Sequence, residues 1–155
     1  MKILLAIDGT VYSDAASEML NKINLGEGDE VKVVSVVDLA VPLAVDMYGG
    51  YLPDTTELEK IAKENATRTL SDAAARFAAT LGSKNVVVTT EVLFGSPASR
   101  IVETAEETGT DLIIMGSHGY RTWERVLLGS VSNSVVHHAP CSVMVVRKSA
   151  DSAAE

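Results

Sequence analysis

The stretch DLIIMGSHGYRTWERVLLGSVSNSVVHHAPCSVMVV, residues 111–146, decides the fold. It opens on the apolar run DLIIMG (111–116) and closes on CSVMVV (141–146), each apolar on successive positions rather than alternate ones. Runs of that kind suit strands covered on both faces, as in a parallel sheet sandwiched by helices. Parallel neighbours need a crossover, so a helix is expected between the two runs, beginning near Ser130.

Three further runs lie upstream: KILLAI (2–7), EVKVVSVV (30–37) and NVVVTTEVLF (85–94). Each gap between runs is then expected to hold a helix. In the first, Ser13 is the expected cap, Ala16, Met19, Leu20 and Ile23 share one stripe, and Gly26 lies beyond the end. From Leu58 the positions Ile61, Ala62, Ala66, Leu70, Ala73, Phe77 and Leu81 keep a helical period, with Gly82 the expected left-handed stop. Ser96 and Pro97 start a third helix, Ile101, Val102 and Ala105 give its buried stripe, and Gly109 ends it. The segment DLAVPLAVDMYGGYLPD (38–54) carries Pro42, Gly49, Gly50 and Pro53 without a clear period, and reads as a long surface loop.

This β-α-β-α-β-α-β-α-β order predicts an α/β fold: a single doubly wound, Rossmann-like, five-stranded parallel sheet with helices on both faces. One domain is expected over residues 1–147, with SADSAAE and its flank (148–155) as a loose tail. A chain of 155 residues buries enough surface to fold without disulfides or a structural metal. Its 46% apolar and 22% charged residues are those of an ordinary globular protein. Thirteen basic against 21 acidic residues leave a net charge of -8 with no basic cluster, which would repel a nucleic-acid backbone. The single cysteine, Cys141, can form no intrachain disulfide. The first residues lack the length and cleavage region of a signal peptide, and no apolar run approaches a membrane span, so a cytoplasmic protein is expected.

Gly116, Gly119 and Gly129 mark the strand exit and helix start inside the opening stretch. Glycines at the carboxyl edge of a doubly wound sheet let backbone approach a ligand. The unpaired N–H groups and dipole of a helix starting near Ser130 favour an anion, and the Ser130 and Ser132 hydroxyls can add donors. The pattern is not G-x-x-x-x-G-K-[ST], nor does G-x-G-x-x-G follow the first strand, so fast P-loop hydrolysis is not expected.

The spacing G-x2-G-x9-G-[ST], filled by Gly116, Gly119, Gly129 and Ser130, resembles the ATP-binding branch of the universal stress protein family. So do LLAIDGTVYSDAA, VVSVVD, IIMGSHG and APCSVMVVR, in the expected order over almost the whole chain. The resemblance implies the adenine nucleotide alpha hydrolase-like variant of the fold, a regulatory or stress-response role, and ATP bound with Mg or Mn. It places the site at Ile7 and Asp8 after the first strand, with Asp8 near the ribose or a metal held by the phosphates. Val36 would meet the adenine through its backbone, and Met115 and Gly116 would lie under the ribose and phosphates. Gly119 would open the loop, while Gly129, Ser130, Val131 and Ser132 would close on the phosphates. A homodimer through the last strand is also implied, in keeping with an unprotected sheet edge.

Plainer readings stand beside these. Asp8 also suits a turn residue bonding local backbone N–H groups. His118 lies within reach of phosphate or ribose, but a histidine in a glycine loop is more often solvated. His137, His138 and Cys141 are zinc-ligand types, yet adjacent helical histidines diverge and a fourth ligand is not apparent, so a helix C-terminal pair and a small buried hydrophobe are expected. Asp38 is read as an exposed acid at a loop start. The residues Arg121, Trp123, Glu124 and Arg125 receive no role. Two further functions remain: a slow metal-dependent ATPase, with Asp8 holding the metal and Ser130 the γ-phosphate, and a protein interaction module independent of nucleotide.

Overall fold

The five apolar runs become five parallel strands: β1 (Lys2–Ala6), β2 (Glu30–Val37), β3 (Val87–Phe94), β4 (Leu112–Gly116) and β5 (Ser142–Val146), with β1, β2 and β4 the most buried. Between them lie helices α1 (Val11–Lys22), α2 (Thr55–Leu81), α3 (Pro97–Thr108) and α4 (Ser130–His138), with a short 3-10 turn at Gly82–Lys84. These come from a computed structural model that describes residues 1–38, 55–117 and 128–147. The expected long loop after Asp38, His118, Gly119, the tryptophan segment and the C-terminal tail lie outside the described residues.

The strand order is β3-β2-β1-β4-β5, and every pairing is parallel. Alternation along β1 shows why the apolar runs are continuous. Ile3, Leu5 and Ile7 pack with Ala16 and Leu20 of α1 and with Leu70, Phe77 and Leu81 of α2. Leu4 joins the other face, where Ile113, Met115 and Val34 meet Ile101 and Ala105 of α3 and Val135 of α4. Helices therefore cover both faces, and β1 at the centre must be apolar on both. The chain winds outward from β1 to β3, then returns across the sheet to β4. The C-terminal ends of β1 and β4 thus form a topological switch point, where ligands of open α/β sheets bind.

Two helix ends differ from expectation. The cap of α1 is Thr10, whose side chain accepts the Ser13 N–H, and Ser13 is itself a buried first-turn residue. Both are good capping types, and the Thr10–Asp8 bonds described below settle the choice. At its other end α1 closes on Ile23 in an extended conformation, with its N–H on the Leu20 carbonyl, and Gly26 lies beyond the end as expected. The left-handed residue after α2 is Asn85 (φ 55) rather than Gly82, because the helix tightens into the 3-10 turn before it stops. In contrast, α3 follows its signals: Ser96 is the N-cap, Pro97 starts the helix, and Gly109 ends it at φ 62.

The α2 stripe is buried from Ala66 to Leu81, whereas Leu58 and Ile61 are 55% and 47% exposed. Helical period alone does not say where a long helix leaves the sheet. Phe77 is 1% exposed. Phe77→Ala is therefore expected to cost about 3–5 kcal/mol in urea unfolding. Ile61→Ala should change stability by less than about 1 kcal/mol.

Candidate functional site

Register sets the rim. Ala6 is level with Val34 on one side and with Met115 on the other. Ile7 and Asp8, Val36, and Gly116 and Ser117 therefore leave the C-terminal ends of three adjacent strands, β1, β2 and β4. Ile7 and Met115 are each 5% exposed, so their side chains serve the core and only their backbone faces the rim. Val36 is half-buried against the α3/α4 core.

Gly116 is defined by its neighbour. A Cβ there would stand 2.8 Å from the backbone carbonyl carbon of Tyr12 and 2.9 Å from the Tyr12 Cβ. The first turn of α1 thus rests on the end of β4, a close approach that any side chain at 116 would block. The sequence suggests a glycine making room for a ligand; the structure shows one making room for a helix.

Asp8 follows β1 in a tight turn. Its Oδ1 accepts the Thr10 N–H at 3.0 Å and the Thr10 hydroxyl at 2.6 Å, while Gly9 sits at φ 80. This is the turn-forming role of an acid before a helix. Among the described residues, the second oxygen, Oδ2, accepts no bond.

Ser117, 1% exposed, is the hub on the β4 side. Its N–H continues the ladder to the Val146 carbonyl at 2.8 Å. Its carbonyl accepts the Gly129 N–H at 2.7 Å and the Ser132 hydroxyl at 2.9 Å. The two ends of the glycine loop are thereby clasped together. Ser132, 2% exposed, has its hydroxyl 2.9 Å from the Ser117 carbonyl and 3.0 Å from that of Gly129, and its one hydrogen goes to either, so it contributes a neck bond where the sequence suggested a donor for the ligand. Ser130 is exposed and Val131 half-buried.

The start of α4 contrasts with that of α1. Its N-cap is Gly129, no side chain caps it, and no acidic residue lies in its first turn. The first intrahelical bond runs from Asn133 N–H to the Gly129 carbonyl. The amides of Ser130, Val131 and Ser132 therefore have no acceptor within the helix. Three donors and the positive end of a dipole thus stand on the rim beside Gly116 and Ser117.

An open groove of ≈ 550 Å³ lies between α1 and α2, sharing Ile7 and Gly9 with the rim and edged by Asp14, Asp72 and Arg76. His137 and His138 are exposed, each with Nδ1 2.8 Å from the carbonyl four residues earlier, as suits a helix C-terminus. Burial pushes the thiol of half-buried Cys141 above its usual range. Among the described residues no group of three or more metal-ligating side chains occurs. Among them too, no helix is long and apolar enough to cross a membrane.

Sequence reasoning missed Thr10 and Ser117. An acid followed two positions later by a hydroxyl residue is a turn signal that could have found Thr10. Ser117 acts through its backbone, for which sequence holds no signal. Gly116→Ala is expected to cost about 1–3 kcal/mol in denaturant unfolding of the ligand-free protein, because the obstructing atoms are backbone. A glycine needed only by a ligand would tolerate alanine in that assay.

The family model for the universal stress protein family matches residues 1–147. Universal stress protein MJ0531 of Methanocaldococcus jannaschii is 34% identical over 147 residues, covering 95% of this chain and 82% of the relative. Among solved structures, hypothetical protein MJ0577 aligns with a TM-score of 0.72 and 26% identity over 96% of both chains. A universal stress protein in complex with cAMP aligns with a TM-score of 0.64 and 24% identity, covering 96% of this chain and 98% of its own. A family protein of Arabidopsis thaliana with AMP bound gives 0.65 and 16%, covering 98% and 94%. With the family model spanning residues 1–147 and a relative 34% identical over nearly the whole chain, the chain belongs to the universal stress protein family.

Proposed function

We propose that this protein binds an adenine nucleotide, ATP with Mg²⁺ or Mn²⁺ foremost, at the switch-point rim, and acts as a regulatory stress-response protein in the cytoplasm. The observation that carries the reading is the start of α4, which among the described residues has no side-chain cap and whose first three amides have no acceptor within the helix, at the rim beside the end of β4. Phosphate is the ligand group that such a helix end takes best. Cyclic AMP and AMP in two structural neighbours support an adenine nucleotide as the ligand class.

In this reading the Ser130, Val131 and Ser132 amides bind phosphate, joined by the Ser130 hydroxyl. Ser132 adds its amide while its hydroxyl holds the loop neck. His118 and Gly119, which lie outside the described residues, are proposed as further contacts of the same ligand. Asp8 offers its free oxygen to the ribose or to the cation on the phosphates, Val36 meets the adenine through its backbone, and Ile7, Met115 and Gly116 form the floor. The site holds no lysine in the loop and no base beside Ser130 among the described residues, so bound ATP acts as a stabilising ligand rather than a rapidly consumed substrate.

Calorimetry with ATP and Mg²⁺ is expected to show saturable binding that Gly129→Val weakens by about tenfold or more. No heat at about 1 mM ATP would contradict the proposal.

A homodimer through β5 is part of the same proposal. β5 pairs with β4 alone in the described sheet, leaving an apolar edge with half-buried Val143, Met144 and Val145. Light scattering is expected to give twice the chain mass, and Met144→Lys or Val145→Pro should shift it to the single-chain value.

A further inference from the structure

The turn between β1 and α1 is a closed set of hydrogen bonds centred on Thr10. The Thr10 hydroxyl donates its one hydrogen to Asp8 Oδ1 at 2.6 Å, and the Thr10 N–H reaches the same oxygen at 3.0 Å. The lone pairs left on Thr10 Oγ1 face the Ser13 N–H at 3.4 Å. Ser13 returns its hydroxyl hydrogen to the Thr10 carbonyl at 2.9 Å and accepts the Gly9 N–H at 3.1 Å. Every donor direction in this set is fixed, because a hydroxyl with one hydrogen cannot serve Asp8 and another acceptor at once.

A 2.6 Å bond from a hydroxyl to a carboxylate belongs to the stronger, charge-assisted class. It is stronger than the 3.4 Å cap bond that the same oxygen accepts. Capping α1 needs only a lone pair of the Thr10 oxygen. Its hydrogen is left over for a second task and goes to Asp8, where it and the Thr10 N–H fall on one carboxylate oxygen. The carboxylate is thereby held against rotation while Oδ2 accepts nothing among the described residues.

We propose that Thr10 is a positioning residue for nucleotide binding: it locks the Asp8 carboxylate by one oxygen so that the other is held in place on the rim for the ligand. The proposal rests on the nucleotide reading given above. It goes beyond it in naming a residue that touches no ligand yet sets the affinity through Asp8. Binding then avoids the cost of ordering a carboxylate that would otherwise turn freely.

The test is a double-mutant cycle read by ATP titration in the presence of Mg²⁺, using wild type, Thr10→Val, Thr10→Ser, Asp8→Asn and the Asp8→Asn/Thr10→Val pair. Melting is recorded for each, and Thr10→Ala replaces the valine variant if that one does not fold. Thr10→Val and Asp8→Asn are each expected to weaken ATP by about tenfold, Thr10→Ser by less than about twofold, and the pair no more than Asp8→Asn alone. Losses that multiply in the pair would overturn the proposal. So would a Thr10→Val protein that melts lower but binds ATP as wild type does, since Thr10 would then be a cap only. Wild type that binds ATP, with Asp8→Asn unchanged, overturns the proposal and leaves the nucleotide reading standing. Wild type that binds no ATP overturns both.

Discussion

The first turn of α1 lies directly on the end of β4, in the space where a side chain at Gly116 would have to be. Much of the site follows from that contact. β1 and β4 are neighbours at the sheet centre, and α1 leaves β1 within a few residues, so the helix can cross to β4 only by passing close over Gly116. The tightness of the crossing calls for a short, rigid turn, which Asp8, Gly9, Thr10 and Ser13 supply through bonds among themselves. One close packing contact therefore fixes the path of the backbone on the β1 side of the rim.

The β4 side is fixed differently. Ser117 is pinned to β5 by its N–H and to the start of α4 by its carbonyl. The segment between Ser117 and Gly129 is closed at its neck whatever path it follows in between, and the start of α4 is set relative to the sheet. The two sides also differ in polarity. The α1 start is capped by Thr10 and bordered by the acid Asp8, whereas the α4 start has neither a side-chain cap nor an acid. A ligand with an anionic end and a hydroxyl-bearing or cation-bound middle matches that division, which is the chemistry of a nucleotide.

The strands β1, β2 and β4 were legible because a central parallel strand must be apolar on both faces, whereas the edge strands β3 and β5 were legible from their β-branched residues. The limits of α3 were legible because Pro97 and Gly109 each have one favoured place at a helix end. The start of α1 was not, since Thr10 and Ser13 are both capping types and the choice turns on Asp8, a residue outside the helix. Gly82 misled for a related reason: a 3-10 turn moved the left-handed position on to Asn85. At the site, the positions of Asp8, Gly116 and the α4 start could be read from the sequence, but their reasons could not. That Gly116 is set by Tyr12, or that the Ser132 hydroxyl turns inward to Ser117, depends on residues brought together by the fold.

Titrating ATP and Mg²⁺ into uniformly ¹⁵N-labelled protein, and following its amide resonances, reports where the ligand sits. Shifts are expected to concentrate at Asp8, Gly9, Gly116 and the amides of Ser130, Val131 and Ser132. Shifts confined to the opposite edge of the sheet, around Glu30 and Asp111, or no shifts at all, would contradict nucleotide binding at the rim.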